Sequence, residues 1–280
     1  MSAPEIFDRR RRRLRRDRAQ PRFAEHGFLL DQIVESLLHR LDLVSRPFVR
    51  ALDLGCHDGR MGEALRARGI EVVSADPGFG FARAAHGVQC DEDRLPFADA
   101  SFDLVVSAGV LDQVNDLPGA LLLIRRVLKP DGLFLGGFVG AGSLPRTRAA
   151  VMAADIADDR AISPRLHPQI DVRAAGDLLG RAGFVLTVAD GETLTVRYAN
   201  PLRIFADLRG MAATSMLKAQ ARPLVRADIA AIVEAYGEGP IAESFAFVFM
   251  TGWSPGPGQP QPARRGSAGQ SLADALKPRD

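Results

Sequence analysis

One strand-to-helix turn, Leu52-Asp53-Leu54-Gly55-Cys56-His57-Asp58-Gly59, restricts the fold of this chain more than any other feature. The apolar run Val49, Ala51, Leu52 and Leu54 leads into it, and Met61, Ala64 and Leu65 share one helical face beyond it. Gly55 and Gly59 allow backbone angles closed to other residues and let N–H groups face a ligand. In open α/β sheets such turns lie at the carboxyl ends of strands, where ligands bind. A phosphate loop competes with this reading, but the pattern GxxxxGK[ST] is absent and no Lys follows Gly59.

The rest of the chain extends the alternation. Residue patterns predict strands over 49–54, 71–75, 87–90, 102–107, 133–138, 184–188, 193–198 and 244–253. Helices are predicted over 28–43, 121–128, 174–182, 202–211 and 228–236. Strands interleaved with helices imply an α/β protein whose mostly parallel sheet is covered on both faces. Residues 140–170, punctuated by Gly and Pro, read as a helical insertion over the open end of the sheet. The expected organisation is an Arg-rich helical arm and helix over 1–47, one folded domain over 48–253, and a disordered Pro/Gly/Gln/Ser tail over 254–280.

Composition limits the function classes. With 280 residues, 46% hydrophobic and 25% charged, the chain can bury a full core. A net charge of +2 is too small to indicate a nucleic-acid partner, and no apolar run is long enough to span a bilayer. Positive charge is concentrated in Arg9 to Arg13, Arg15, Arg16 and Arg18, with Asp8 and Asp17 interspersed. Such a run is either a solvated helical arm or a docking surface for an acidic partner. Its acids, with Glu5, argue against an organelle transit peptide. Two cysteines, Cys56 and Cys90, and no secretory signal make the reducing cytoplasm the expected compartment. The scattered histidines suggest no metal site.

Asp76 ends the second predicted strand about twenty residues after the glycine turn, where a carboxylate can accept hydrogen bonds from both ribose hydroxyls of an adenosine. NAD fits that pair equally well, and an Asp opening a turn before Pro77-Gly78 is the plainer alternative. A third element reads Cys90-Asp91-Glu92-Asp93-Arg94-Leu95-Pro96-Phe97, followed by Ser101-Phe102-Asp103-Leu104-Val105. Together these three elements resemble the class I methyltransferases that use S-adenosylmethionine (SAM). The resemblance implies a three-layer α/β/α sandwich around a mostly parallel, seven-stranded, Rossmann-like sheet. It further implies that Asp53, Gly55, Cys56, His57, Gly59 and Asp76 line the SAM site, with Asp91, Glu92 and Leu95 around the adenine. His57 stands where the family pattern has glycine, as a tolerated loop side chain or a group near the sulfonium.

Methyl transfer from a sulfonium depends mainly on alignment, so no nucleophile triad is required. Ser107, Asp112 and Gln113 lie near the end of the fourth strand, beside the transferred group in this family. Asp112 is the candidate catalytic residue, orienting or deprotonating an acceptor, with helix capping as the alternative role.

A narrower resemblance joins Ile6-Phe7-Asp8-Arg9-Arg10, Glu25-His26-Gly27-Phe28, Val114-Asn115-Asp116-Leu117-Pro118 and Asp207-Leu208-Arg209-Gly210-Met211 to a family of complex I assembly factors. Its mitochondrial member is an arginine hydroxylase with a methyltransferase fold. The resemblance implies a protein substrate, an arginine in an iron-sulfur subunit of complex I, or a non-catalytic assembly factor that binds SAM. The family tends to have His-Trp where Asp112-Gln113 stands and an acid where Gly142 stands.

Overall fold

The computed structural model describes residues 5–156, 163–237, 239–257 and 259. Helix α1 (Arg9–Ala19), a 3₁₀ segment (Gln20–Glu25) and α2 (Phe28–Asp42) precede the sheet. The alternating half follows as β1 (Arg50–Leu54), α3 (Arg60–Ala67), β2 (Glu71–Asp76), α4 (Phe79–Ala84), β3 (Val88–Gln89), β4 (Phe102–Ala108), α5 (Leu117–Val127) and β5 (Leu128–Val139). After it come α6 (Pro145–Ile156), α7 (Val172–Arg181), β6 (Val185–Tyr198), α8 (Pro201–Gly210), α9 (Arg226–Tyr236) and β7 (Ile241–Trp253).

The seven strands form one sheet in the order β3-β2-β1-β4-β5-β7-β6. Pairings are parallel from β3 to β5, while β7 runs antiparallel to both β5 and β6. This is the α/β, Rossmann-like sheet expected from the sequence.

Side-chain alternation along the strands divides the core into two layers. Leu133 and Leu135 of β5, with Phe245, Phe247 and Phe249 of β7, pack with α2, α3 and α6. Phe134 and Phe138, with Val248 and Met250, pack with α5 and α7 on the opposite face. The order of strands reverses between β1 and β4, so the crevice outside their carboxyl ends is a topological switch point.

Two sequence expectations change. The strands expected at 184–188 and 193–198 are a single strand, β6, because β7 pairs with it from Val185 to Tyr198. Gly191 makes no turn there: a Cβ on it would lie 3.1 Å from Val172 Cγ2, so the glycine admits α7. Part of the expected tail is also ordered, since Ser254 donates its amide to the Gly132 carbonyl at 2.8 Å and its own carbonyl accepts from Asp131. Residues 258 and 260–280, where most of that tail falls, lie outside the described residues.

Candidate functional site

β1 delivers Asp53 and the glycine turn to the switch point. Gly55 (φ 81°) and Gly59 (φ 90°) both occupy the left-handed region, and Gly59 caps α3. The Gly55 and Cys56 amides donate to the Ala75 carbonyl at 2.7 and 3.0 Å, which ties the turn to β2. Burial, with Asp76 and Asp53 close by, pushes the Cys56 thiol far up.

Asp53 is fully buried; the Gly62 backbone amide approaches its carboxylate loosely, but neither oxygen completes a well-formed hydrogen bond among the described residues. Desolvation, reinforced by the charge of Asp76, pushes it up to about 7. A buried carboxyl group without a well-formed hydrogen bond marks a place where a donor is missing.

Asp76 is equally buried, but its two oxygens are fully engaged. Oδ1 accepts from Arg16 Nε at 2.8 Å and the Gly78 amide at 2.7 Å. Oδ2 accepts from Arg16 Nη2 at 2.5 Å and the His57 amide at 3.1 Å. A carboxylate offers about four lone-pair sites, and all are taken.

The same helix engages the next acidic loop. Arg12 forks onto Glu92 at 2.6 and 2.8 Å, with both residues buried. Arg9 forks onto Asp93 at 2.6 and 2.7 Å, and Arg13 reaches Asp91 at 2.7 Å. The arm is therefore not wholly solvated: Arg9, Arg12, Arg13 and Arg16 line one face of α1 and turn into the cleft, while Arg10 and Arg18 stay exposed. Spacings of three and four residues along a helix place those arginines on one face. That periodicity, set against the acidic run at 91–93, is the signal a count of charges passes over.

His57 fills the space that a glycine would leave open. Its φ is 48° and its ring is buried, stacked on Phe23 at 5.0 Å and edge-on to Phe81 at 5.6 Å. Because Ala108 O can only accept and the Arg16 guanidinium can only donate, their contacts at 3.1 and 3.2 Å fix the Nε2–H tautomer with a bare Nδ1. Burial and the Arg16 charge hold His57 well below the ordinary histidine range.

The unfolded chain takes up a proton on this residue below about pH 6.5 whereas the folded chain does not, so His57 removes stability as pH falls through that value. In urea unfolding from pH 7 to 5, His57→Gln should lose about 2 kcal/mol less in total than the parent chain. Parallel stability profiles would show that His57 is charged in the fold.

Ser107 Oγ is buried and donates to the Leu54 carbonyl at 2.9 Å, so it braces β1 against β4. Leu95 is buried in the core layer of α5. Asp112 lines a cavity of about 770 Å³ that opens beside His57 and Gly109. Desolvation raises Asp112 to about 6, while the charge of Arg12 opposes the shift. The cavity has apolar walls from Leu144, Phe205 and Phe245, with Arg15 and Arg148 at its polar edges. Among the described residues, no group of three or more His, Cys, Asp or Glu is arranged to hold a metal ion.

The chain is similar to known proteins over most of its length. Residues 52–136 match the methyltransferase domain family. The arginine hydroxylase NDUFAF5 of Danio rerio mitochondria is 33% identical over 97% of this chain and 90% of its own length. A malonyl-[acyl-carrier protein] O-methyltransferase of Methylovorus is 31% identical over 89% of this chain and 90% of its own length. Among solved structures, a Haemonchus contortus phosphoethanolamine N-methyltransferase, in complex with S-adenosylhomocysteine, has a TM-score of 0.53 at 16% identity, covering 87% of this chain and 60% of that one.

A methyltransferase domain implies SAM as its cofactor. The residues present fit it in kind: Asp53 is an acceptor without a well-formed hydrogen bond, Gly55 and Gly59 bend the turn, and Asp76 and Glu92 are acceptors for hydroxyl or amino donors. Two of those acceptors are held by α1.

Proposed function

Because the chain belongs to the family of the arginine hydroxylase NDUFAF5, within the SAM-dependent methyltransferase fold, we propose that it is an enzyme modifying a protein side chain during respiratory complex I assembly. The observation that carries this reading is the 770 Å³ cavity beside the glycine turn, which has the size of a substrate pocket and receives the partly exposed Asp112. With SAM bound, the cleft holds an electrophilic methyl group. Asp112, raised to about 6, remains mostly ionised at neutral pH and accepts a proton from the entering side chain. The apolar walls exclude water and hold the stem of that side chain.

The acceptor we favour, from the family resemblance, belongs to an iron-sulfur subunit of complex I; the compartment we favour is the reducing cytoplasm, whereas the relatives are named mitochondrial. Among the described residues no helix is long and apolar enough to cross a membrane. The test is mass spectrometry of that subunit co-expressed with this chain. A gain of one CH₂ is expected for methyl transfer; a gain of one oxygen would reassign the chain to hydroxylation, the activity named for its relatives.

A second reading, an assembly factor that binds SAM without turnover, is favoured by Asp112-Gln113 and Gly142, which stand where the family tends to have His-Trp and an acid. It requires that no S-adenosylhomocysteine accumulate when the partner subunit is present.

A further inference from the structure

Helix α1 has almost no apolar reason to lie where it does. Leu14 is its only large hydrophobic residue and is 46% exposed. The helix is held by charge: Arg9, Arg12, Arg13 and Arg16 meet Asp93, Glu92, Asp91 and Asp76, and Asp17 Oδ1 accepts the Gly80 amide at 2.9 Å. Arg16 is 1% exposed and Arg12 is 4% exposed, so these contacts are interior ones.

Interior ion pairs recover little more than the cost of desolvating their members, which makes such a helix specific in placement and modest in net hold. Asp76, with its lone pairs filled by Arg16, Gly78 and His57, has no capacity left for a further donor until Arg16 withdraws.

We propose that α1 is a displaceable strap across the cofactor cleft, in which Arg16 and Arg12 compete with SAM for Asp76 and Glu92. The inference rests on the assignment of SAM to this cleft. In the strapped state the arginines stand in for ligand donors. In the open state the strap leaves and the carboxylates face the cofactor. Apparent affinity is then the intrinsic affinity reduced by the fraction of molecules whose strap is open. The strap is tethered at both ends, by the chain at Gln20 and by its first residues, which are anchored outside the cleft. Asn115 clamps the Phe7 backbone at both N and O, at 2.8 and 3.0 Å, and Phe7 packs with Met216 and Leu217.

Two measurements on the full chain test the strap. Hydrogen exchange of the wild-type protein, read by mass spectrometry with and without saturating SAM, should show the amides of α1 exchanging at least about tenfold faster with ligand, while those of α5 do not change. Calorimetric titration of SAM should give the Arg12→Gln/Arg16→Gln double variant an affinity at least about tenfold above that of wild type. Heat with the double variant alone is the strong form of the same result.

Unchanged protection of α1 in the saturated wild type, or equal affinities, overturns the strap and leaves the cofactor assignment standing. No heat with either protein overturns the cofactor assignment and the strap with it. If the double variant fails to melt cooperatively, exchange in the wild type decides alone.

Discussion

Asp76→Ala should lower the free energy of unfolding by about 3 to 5 kcal/mol, because it strands the Arg16 guanidinium inside the protein without its partner. The same change removes the acceptor assigned to the ribose hydroxyls, so SAM affinity should fall by about tenfold or more. Urea unfolding and calorimetry read the two effects separately. Replacing the pair together, Arg16→Met with Asp76→Leu, should recover most of the stability while leaving the affinity low, because apolar residues of similar volume need no partner. A loss of stability below about 1 kcal/mol for Asp76→Ala would mean that the pair is solvated, as ordinary surface pairs are.

The glycine turn supplies the second large effect. Gly55→Ala should destabilise by about 2 to 5 kcal/mol, the sum of a side chain at positive φ and an overpacked contact. Its φ is 81°, and the added Cβ would lie 2.3 Å from Val110 Cγ2 and 2.6 Å from Val110 Cγ1. Gly59→Ala is the internal control, with φ at 90° and nothing within 4 Å of its added Cβ, so it should cost only the backbone contribution of about 1 to 2 kcal/mol. Equal losses for the two variants would show that Val110 moves aside and that the turn is not packed as described.

Much of the architecture was legible because its signals are local. Each strand of the parallel half carries its own apolar run, and the observed ends of β1, β2 and β4 lie within a residue or so of the predicted ones. The helix now labelled α5 starts at Leu117, four residues before the prediction, because Asp116 caps it through the Gly119 amide and the apolar pattern alone does not register a cap. The merged β6 was hidden for a different reason. Asp190-Gly191-Glu192 has the composition of a turn, but Arg40 of α2 pairs with both acids from across the fold, and no window of sequence contains that partner.

The site divides along the same line. Gly55, Gly59 and Asp76 follow from motif and spacing, and Asp53, Asp91, Glu92 and Leu95 from the family resemblance; the structure gathers the turn, Asp76 and the 91–93 loop around α1. What spacing could not show was which donors those acids face in the fold. The occupants lie some sixty to eighty residues earlier, on a helix whose charge reads as solvent-loving unless its three- and four-residue period is matched to a buried acceptor row. His57 was noticed as a departure, but its aromatic bracket of Phe23 and Phe81 comes from two separate elements and becomes visible only in three dimensions.

The clamp of Asn115 on the backbone of Phe7 has a kinetic consequence. A guard segment joined to the fold at both ends, by the chain at Gln20 and by this clamp at Phe7, returns to its seat by a unimolecular step, against an effective local concentration in the millimolar range that dilution of the protein cannot lower. Reclosure is therefore as fast in a sparsely expressed cell as in a concentrated sample, and the latch resets after each departure of ligand without help from another molecule.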